Sequence, residues 1–151
     1  MKNFIQNTFK NLFSTQAGAG ALVLRVPIGI ILAAHGAQKL FGWFGGYGLE
    51  GTGQWMASNG FEPGYLMALL AGSAEFFGGI ALIFGLFVRP AAAIAAITLM
   101  FALTVHIDNG LFMSNNGYEF ALTLLAATIT LAIQGAGAVS LDSLWSKRLS
   151  R

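Results

Sequence analysis

Four long stretches of this chain carry almost no charge: Ala17 to Leu40, Tyr65 to Val88, Pro90 to Ile107 and Tyr118 to Ala138. A bilayer's hydrocarbon core is about 30 Å thick and is crossed by about 20 apolar helical residues, so the pattern predicts four transmembrane helices. Within the core a helix satisfies its own backbone donors and acceptors, which an open strand cannot do. In a chain of 151 residues the expected fold is therefore all-α, an integral membrane four-helix bundle forming one domain. The composition agrees: charged residues make up 9% of the chain, against about 25% in ordinary soluble domains. The mean hydropathy is +0.68. Between the second and third stretches, Arg89-Pro90 predicts a tight turn with Pro90 at the first helical position.

Ahead of the first span, Phe4, Ile5, Phe9, Leu12 and Phe13 recur at helical spacing beside Lys2 and Lys10, which predicts a short interfacial helix over 3–14. Asn7, Lys10, Asn11 and Gln16 interrupt any continuous apolar region, so the segment is not read as a signal peptide. Lys2, Lys10, Arg89, Lys147, Arg148 and Arg151 all fall on one side of the predicted topology. The opposite loops, 41–64 and 108–117, hold Glu50, Glu62 and Asp108 but no Lys or Arg. Basic residues are retained on the cytoplasmic side, so the expectation is a multi-pass protein of the cytoplasmic membrane with both termini inside.

A pI near 9.2 reflects these flanking cations and a net charge of only +2, not a nucleic-acid footprint. Without cysteine the chain cannot itself supply thiolates for an iron–sulfur cluster, a zinc site or thiol redox chemistry. No metal site is expected, and no dinucleotide fingerprint, HExxH, P-loop or nucleophile elbow is present. The loop from Phe41 to Gly64 mixes eight glycines with Trp43, Tyr47 and Trp55. It reads either as an aromatic belt on a flexible connection or as a lid over a site.

Ionisable groups inside the hydrocarbon are costly and mark candidate sites. At about 100° per residue, Arg25, His35 and Lys39 share one arc of the first helix. Glu75 shares a face with Gly72 and Gly79 on the second, where a neighbouring backbone can approach. Glu119 begins a polar stripe on the fourth, and His106 ends the third. Counted from the expected outer ends, Lys39, His106 and Glu119 lie within about 5 Å of the interface, His35 about 9 Å down and Glu75 about 16 Å down. That graded series suits a small polar headgroup or a proton path.

Each residue also has a plainer reading. Arg25, about 8 Å from Glu75 in height, is expected to form a structural ion pair with it. Lys39 either belongs to the site or snorkels to the interface. His106 and Glu119 suit the helix dipoles at their respective ends. A haem held between His35 and His106 is not expected, because the two differ by about 6 Å in height and neither sits in a haem-specific neighbourhood.

The run Leu24-Arg25, Gly29, His35-Gly36, Gln38-Lys39-Leu40-Phe41-Gly42 and the glycine-rich segment after it resemble the first helix and loop of the DoxX family. The resemblance continues through Glu75, Gly78-Gly79, Gly85-Leu86, Arg89, His106, Asn109-Gly110 and Asn116-Gly117-Tyr118-Glu119 to Ser140-Leu141-Asp142. Where the family commonly has Gly-Pro-Gly, this chain has Gly135-Ala136-Gly137. The resemblance implies a small four-helix membrane protein associated with quinone-linked oxidoreductases, such as subunits of thiosulfate:quinone oxidoreductase and of a terminal quinol oxidase. It supplies no catalytic residue set, so the site rests on face and depth.

The expected function is then a membrane subunit that binds a quinone or quinol headgroup in the outer half of the bundle. It would work with a redox partner subunit, in the lipid bilayer, and would not be active alone; a homo-oligomer is also open. Glu75 and His35 are the candidate catalytic residues, exchanging protons, while Lys39 and His106 would hydrogen-bond the carbonyls and Glu119 would orient them. Two rivals remain at this point: a small proton-coupled transporter working as a dimer, and a structural anchor that recruits a soluble redox enzyme.

Overall fold

The computed structural model describes Thr15 and residues 17–149; the interfacial helix expected over 3–14 lies outside them. The described residues form helices α1 (Gly20–Phe41), α2 (Gly48–Ser58), α3 (Gly64–Phe84), α4 (Val88–His106), α5 (Glu119–Gln134) and α6 (Leu141–Leu149), with no strand among them. α1, α3 and the segment Val88–Asn109 are each long and apolar enough to cross a membrane. α5 is shorter: its 16 residues rise about 24 Å, less than the core thickness. It stops at Gln134 because Gly135 turns the backbone to φ 85°, a region that side chains disfavour.

This is an all-α, multi-pass membrane bundle. Its outward face confirms the solvent it was built for: Val23, Phe77, Phe84 and Ile133 are each more than 60% exposed. In water such a surface would drive aggregation, whereas lipid covers it at no cost. Inside the bundle the driving force is therefore close packing rather than escape from water.

α1 and α3 pack through glycine. A Cβ placed on Gly79 would lie 2.5 Å from both the Gly29 carbonyl oxygen and the Ala33 nitrogen, so only glycine allows this approach. Gly36 lies in the same way against Gly72 and Phe76, and Gly29 against Gly79 and Ile83. These contacts fix the antiparallel register and bring His35 level with Glu75. α4 packs on α5 through small and branched residues, with Ala92, Ala95, Leu99, Leu124 and Leu131 buried in one core.

α3 and α4 are joined by a turn at Gly85, Leu86 and Phe87, earlier than the turn expected at Arg89-Pro90. Gly85 (φ 68°) ends α3, with the Leu86 N–H bonded back to the Ala81 carbonyl at 2.9 Å. Helix α4 begins at Val88, which puts Pro90 two residues inside, still in the first turn where no intrahelical N–H is needed. Its first donors are satisfied from far along the chain. The Asp142 carboxylate accepts from the Phe87 N–H at 2.7 Å and the Val88 N–H at 2.9 Å, capping the helix from α6.

Arg25, 2% exposed, ties the same end together. Its guanidinium donates to the carbonyls of Leu82 (2.7 Å) and Ile83 at the end of α3, and to those of Ala136 (3.1 Å) and Val139 beyond α5. These carbonyls belong to helix ends, where backbone acceptors go short of donors, although Leu82 also accepts from the Gly85 N–H at 3.2 Å, and a cation suits their dipoles. Arg89 donates similarly to Ala132 at 3.2 Å. We call this the basic end; the loops with Glu50, Glu62 and Asp108 form the acidic end.

Candidate functional site

Starting from the turn at the basic end, the face of α3 formed by Gly78, Ala74, Ala71, Leu70 and Met67 runs toward α4 at helical spacing. At Gly78 the two helices are close, with the Ala91 carbonyl oxygen 3.7 Å from where a Cβ would stand. Above that contact they part, and Met67, Leu70, Ala71 and Ala74 line one wall of a cavity of about 720 Å³ whose opposite wall is α4. α1 and α5 close the back, where the His35 and Phe120 rings meet with centroids 5.9 Å apart. Along α4 the cavity extends from Ile94 to His106, about 18 Å.

Of the five site residues expected from the sequence, His35, Lys39, Glu75 and His106 line this cavity. Lys39 Nζ and Glu75 Oε2 form an ion pair at 2.6 Å, the carboxylate side chain 7% exposed and the ammonium side chain 23%. His35 stands level with Glu75, and its ring nitrogens take no protein partner among the described residues. The expected Arg25–Glu75 pair does not form. The register puts Arg25 beside Gly85, so Glu75 is about 15 Å higher along α3 rather than 8 Å. The sequence count went astray because α3 starts well above the end of α1, an offset visible only once the glycines are paired.

His106 sits apart from that trio. α4 rises about 27 Å from Val88 to His106, while α3 rises about 15 Å from Gly85 to Glu75, so roughly 12 Å separates their levels. The Nδ1 of His106 is 2.8 Å from the Asn116 carbonyl oxygen, at the mouth toward the acidic end. Glu119 does not line the cavity; its Oε1 accepts from the Met113 N–H at 2.7 Å and so holds a loop that does.

Nearly half of the glycine-rich loop is helix α2. Gly53 brings α2 against the start of α3, where a Cβ would lie 2.9 Å from the Tyr65 Cα. Trp55 and Met56 of α2 line the cavity at its outer end, while Trp43 and Tyr47 face outward, 55% and 82% exposed. The connection is therefore not a flexible one, and of Trp43, Tyr47 and Trp55 it is Trp55 that lines the cavity. Phe120, Met113 and Asn116 are lining residues that the periodicity did not single out. The one signal near them was the Asn116-Gly117-Tyr118-Glu119 run itself.

The sequence profile of the DoxX family matches residues 20–107, which include α1, the ion pair and the whole α3–α4 wall. The chain belongs to the DoxX family. Among curated proteins, this DoxX chain is 37% identical over 123 residues to "Putative oxidoreductase CatD" of Bacillus subtilis, covering 82% of the chain and 84% of that protein. It is 33% identical over 136 residues to "Inner membrane protein YqjF" of Escherichia coli, covering 85% and 94%. "Inner membrane protein YphA" of the same species is 32% identical over 127 residues, covering 80% and 86%. No solved structure matches this DoxX chain.

Proposed function

We propose that this DoxX protein is the membrane subunit of a quinone-linked oxidoreductase, and that a quinone or quinol ring occupies the cavity beside His35, Lys39 and Glu75. The observation that carries the reading is a largely apolar cavity of about 720 Å³ whose two opposite charges are paired with each other. Its size falls in the ordinary range for small ligands, about 300–1,000 Å³. Because the pair is neutral overall, the site suits a neutral ring with hydrogen-bonding oxygens better than an ion.

Reduction of a quinone takes two electrons and two protons, and oxidation of a quinol returns them. In this reading the Lys39 ammonium donates a hydrogen bond to one ring oxygen. In quinol oxidation the Glu75 carboxylate and the His35 imidazole accept the two protons, and in quinone reduction they deliver two protons first taken up from the aqueous phase. The two electrons pass to or from a redox centre of a partner subunit. His106 and Asn116, too far above to touch the same ring, serve proton exchange with the aqueous phase at the acidic end. Basic residues on one side orient both termini to the cytoplasm, which makes the acidic end the outer one.

The test is gentle purification from the native membrane, solvent extraction for bound quinone, and identification of proteins that copurify. Bound quinone that falls at least tenfold in Glu75→Gln and in His35→Ala, with the folded protein recovered in full, is the expected result. Unchanged quinone content and unchanged quinone-linked activity of the intact complex in both variants would refute the assignment.

A further inference from the structure

A ring held at Glu75 is far from either end of the bundle, so how a membrane quinone reaches it is a separate question. Two of the four helix seams around the cavity are packed closed. α1 meets α3 through backbone-to-backbone contact at Gly29, Gly36, Gly72 and Gly79. α4 meets α5 through the alanine and leucine core. α1 and α5 touch less extensively, but at the level of Glu75 the His35 and Phe120 rings meet across their seam, centroids 5.9 Å apart. The remaining seam, between α3 and α4, is closed only from Gly78 toward the basic end.

Above Gly78 the seam is lined by residues that belong to the cavity and to the outer surface at once. Leu70, Ile94, Ile97 and Phe101 line the cavity and are 55%, 51%, 53% and 55% exposed. Ala74, small and partly exposed, faces this gap one residue before Glu75. By rise along each helix, Ile97 and Glu75 lie within about 2 Å of the same level, near the middle of the hydrocarbon. At the outer end the opening is bounded by the Phe61–Phe101 ring contact, centroids 5.8 Å apart.

We propose that the α3–α4 seam, between Ala71 and Ala74 on one side and Ile97 and Phe101 on the other, is a lateral portal through which the isoprenoid tail of the quinone leaves the cavity into the bilayer. The proposal rests on the quinone reading and adds to it which ligands fit: ones with a long apolar tail, entering from the membrane rather than from water. A tail threaded here stays in hydrocarbon throughout, so it neither gains nor loses much by binding, and the ring alone sets the affinity. The bare alanine faces keep the gap open, and a large side chain at Ala74 closes it.

The test uses Trp55, which lines the cavity, as the fluorescence reporter in a Trp43→Phe, Trp145→Phe background; the chain has no other tryptophan. Two probes are titrated in detergent: 2,3-dimethoxy-5-methylbenzoquinone, and the same ring carrying a ten-carbon tail. The parent protein should bind both. Ala74→Phe should weaken binding of the tailed probe at least tenfold more than binding of the tailless ring. Phe77→Ala, on the lipid face outside the cavity, should change neither. Equal binding of both probes by Ala74→Phe, or equal loss of both, overturns the portal while leaving the quinone reading in place. Binding of neither probe by the parent overturns the quinone reading and the portal together.

Discussion

Arg25 and Lys39 are both cations inside the bundle, and the structure gives them opposite assignments that a pair of double-mutant cycles can separate. Removing the guanidinium with Arg25→Met takes a donor away from four carbonyls. Those of Ile83 and Val139 are only partly buried and can take other partners, and the Leu82 carbonyl keeps the Gly85 N–H at 3.2 Å, but that of Ala136 is buried. An unsatisfied buried group costs about 1–3 kcal/mol, so the one left without a partner sets the loss at about 1–3 kcal/mol. Because Arg25 stands about 15 Å from Glu75 in height, combining Arg25→Met with Glu75→Gln should give additive losses within about 0.5 kcal/mol. Lys39→Met with Glu75→Gln should instead show a coupling of about 1–3 kcal/mol, the range for groups in direct contact. Reversible unfolding in mixed micelles, followed by far-ultraviolet circular dichroism, supplies the four free energies of each cycle. A coupling above about 1 kcal/mol for Arg25 with Glu75, or none for Lys39 with Glu75, would refute the register on which the site is built.

The α1–α3 contact and the remote cap at Asp142 give two further predictions. Gly79→Ala forces a Cβ to within 2.5 Å of two backbone atoms and should cost about 1–3 kcal/mol in the same unfolding assay, whereas Gly20→Ala, with nothing within 4 Å, should be neutral or slightly stabilising. Burial pushes the Asp142 carboxyl above its ordinary value, against the Val88 and Phe87 N–H donors and Arg25, which favour its ionised form. Below about pH 4 both folded and unfolded chains hold this proton; as pH rises the unfolded chain releases it first, so its contribution to stability falls as pH climbs through the raised value. Subtracting the pH–stability curve of Asp142→Asn from that of the parent isolates this slope, and a difference that rises with pH would count against the assignment.

The sequence showed the bundle because lipid demands runs of apolar helix, and Glu75, His35 and Lys39 stood out because charge is expensive there. What it did not show was how far α3 slides along α1. Gly29, Gly36, Gly72 and Gly79 could each be recognised as small, but which meets which depends on three-dimensional approach, and a slip of a few residues exchanged Arg25 for Lys39 as the partner of Glu75. Helix α2 was hidden for a related reason. Gly48, Gly51 and Gly53 are poor helix formers by propensity, yet Gly53 is what lets this helix lie against Gly64 and Tyr65. Asp142 resembled an ordinary first-turn acid of the last helix, and nothing local marks it as the cap of another.

That remote cap also bears on how the chain assembles as it is made. The first N–H groups of α4 wait for a carboxylate more than fifty residues downstream, and Arg25 waits still longer for the carbonyls of Ala136 and Val139. α1 and α3 can seat against each other once both are inserted, but the basic end remains incomplete until the ribosome has delivered Asp142. A nascent chain cut short before that residue would carry its membrane spans and still lack a closed bundle.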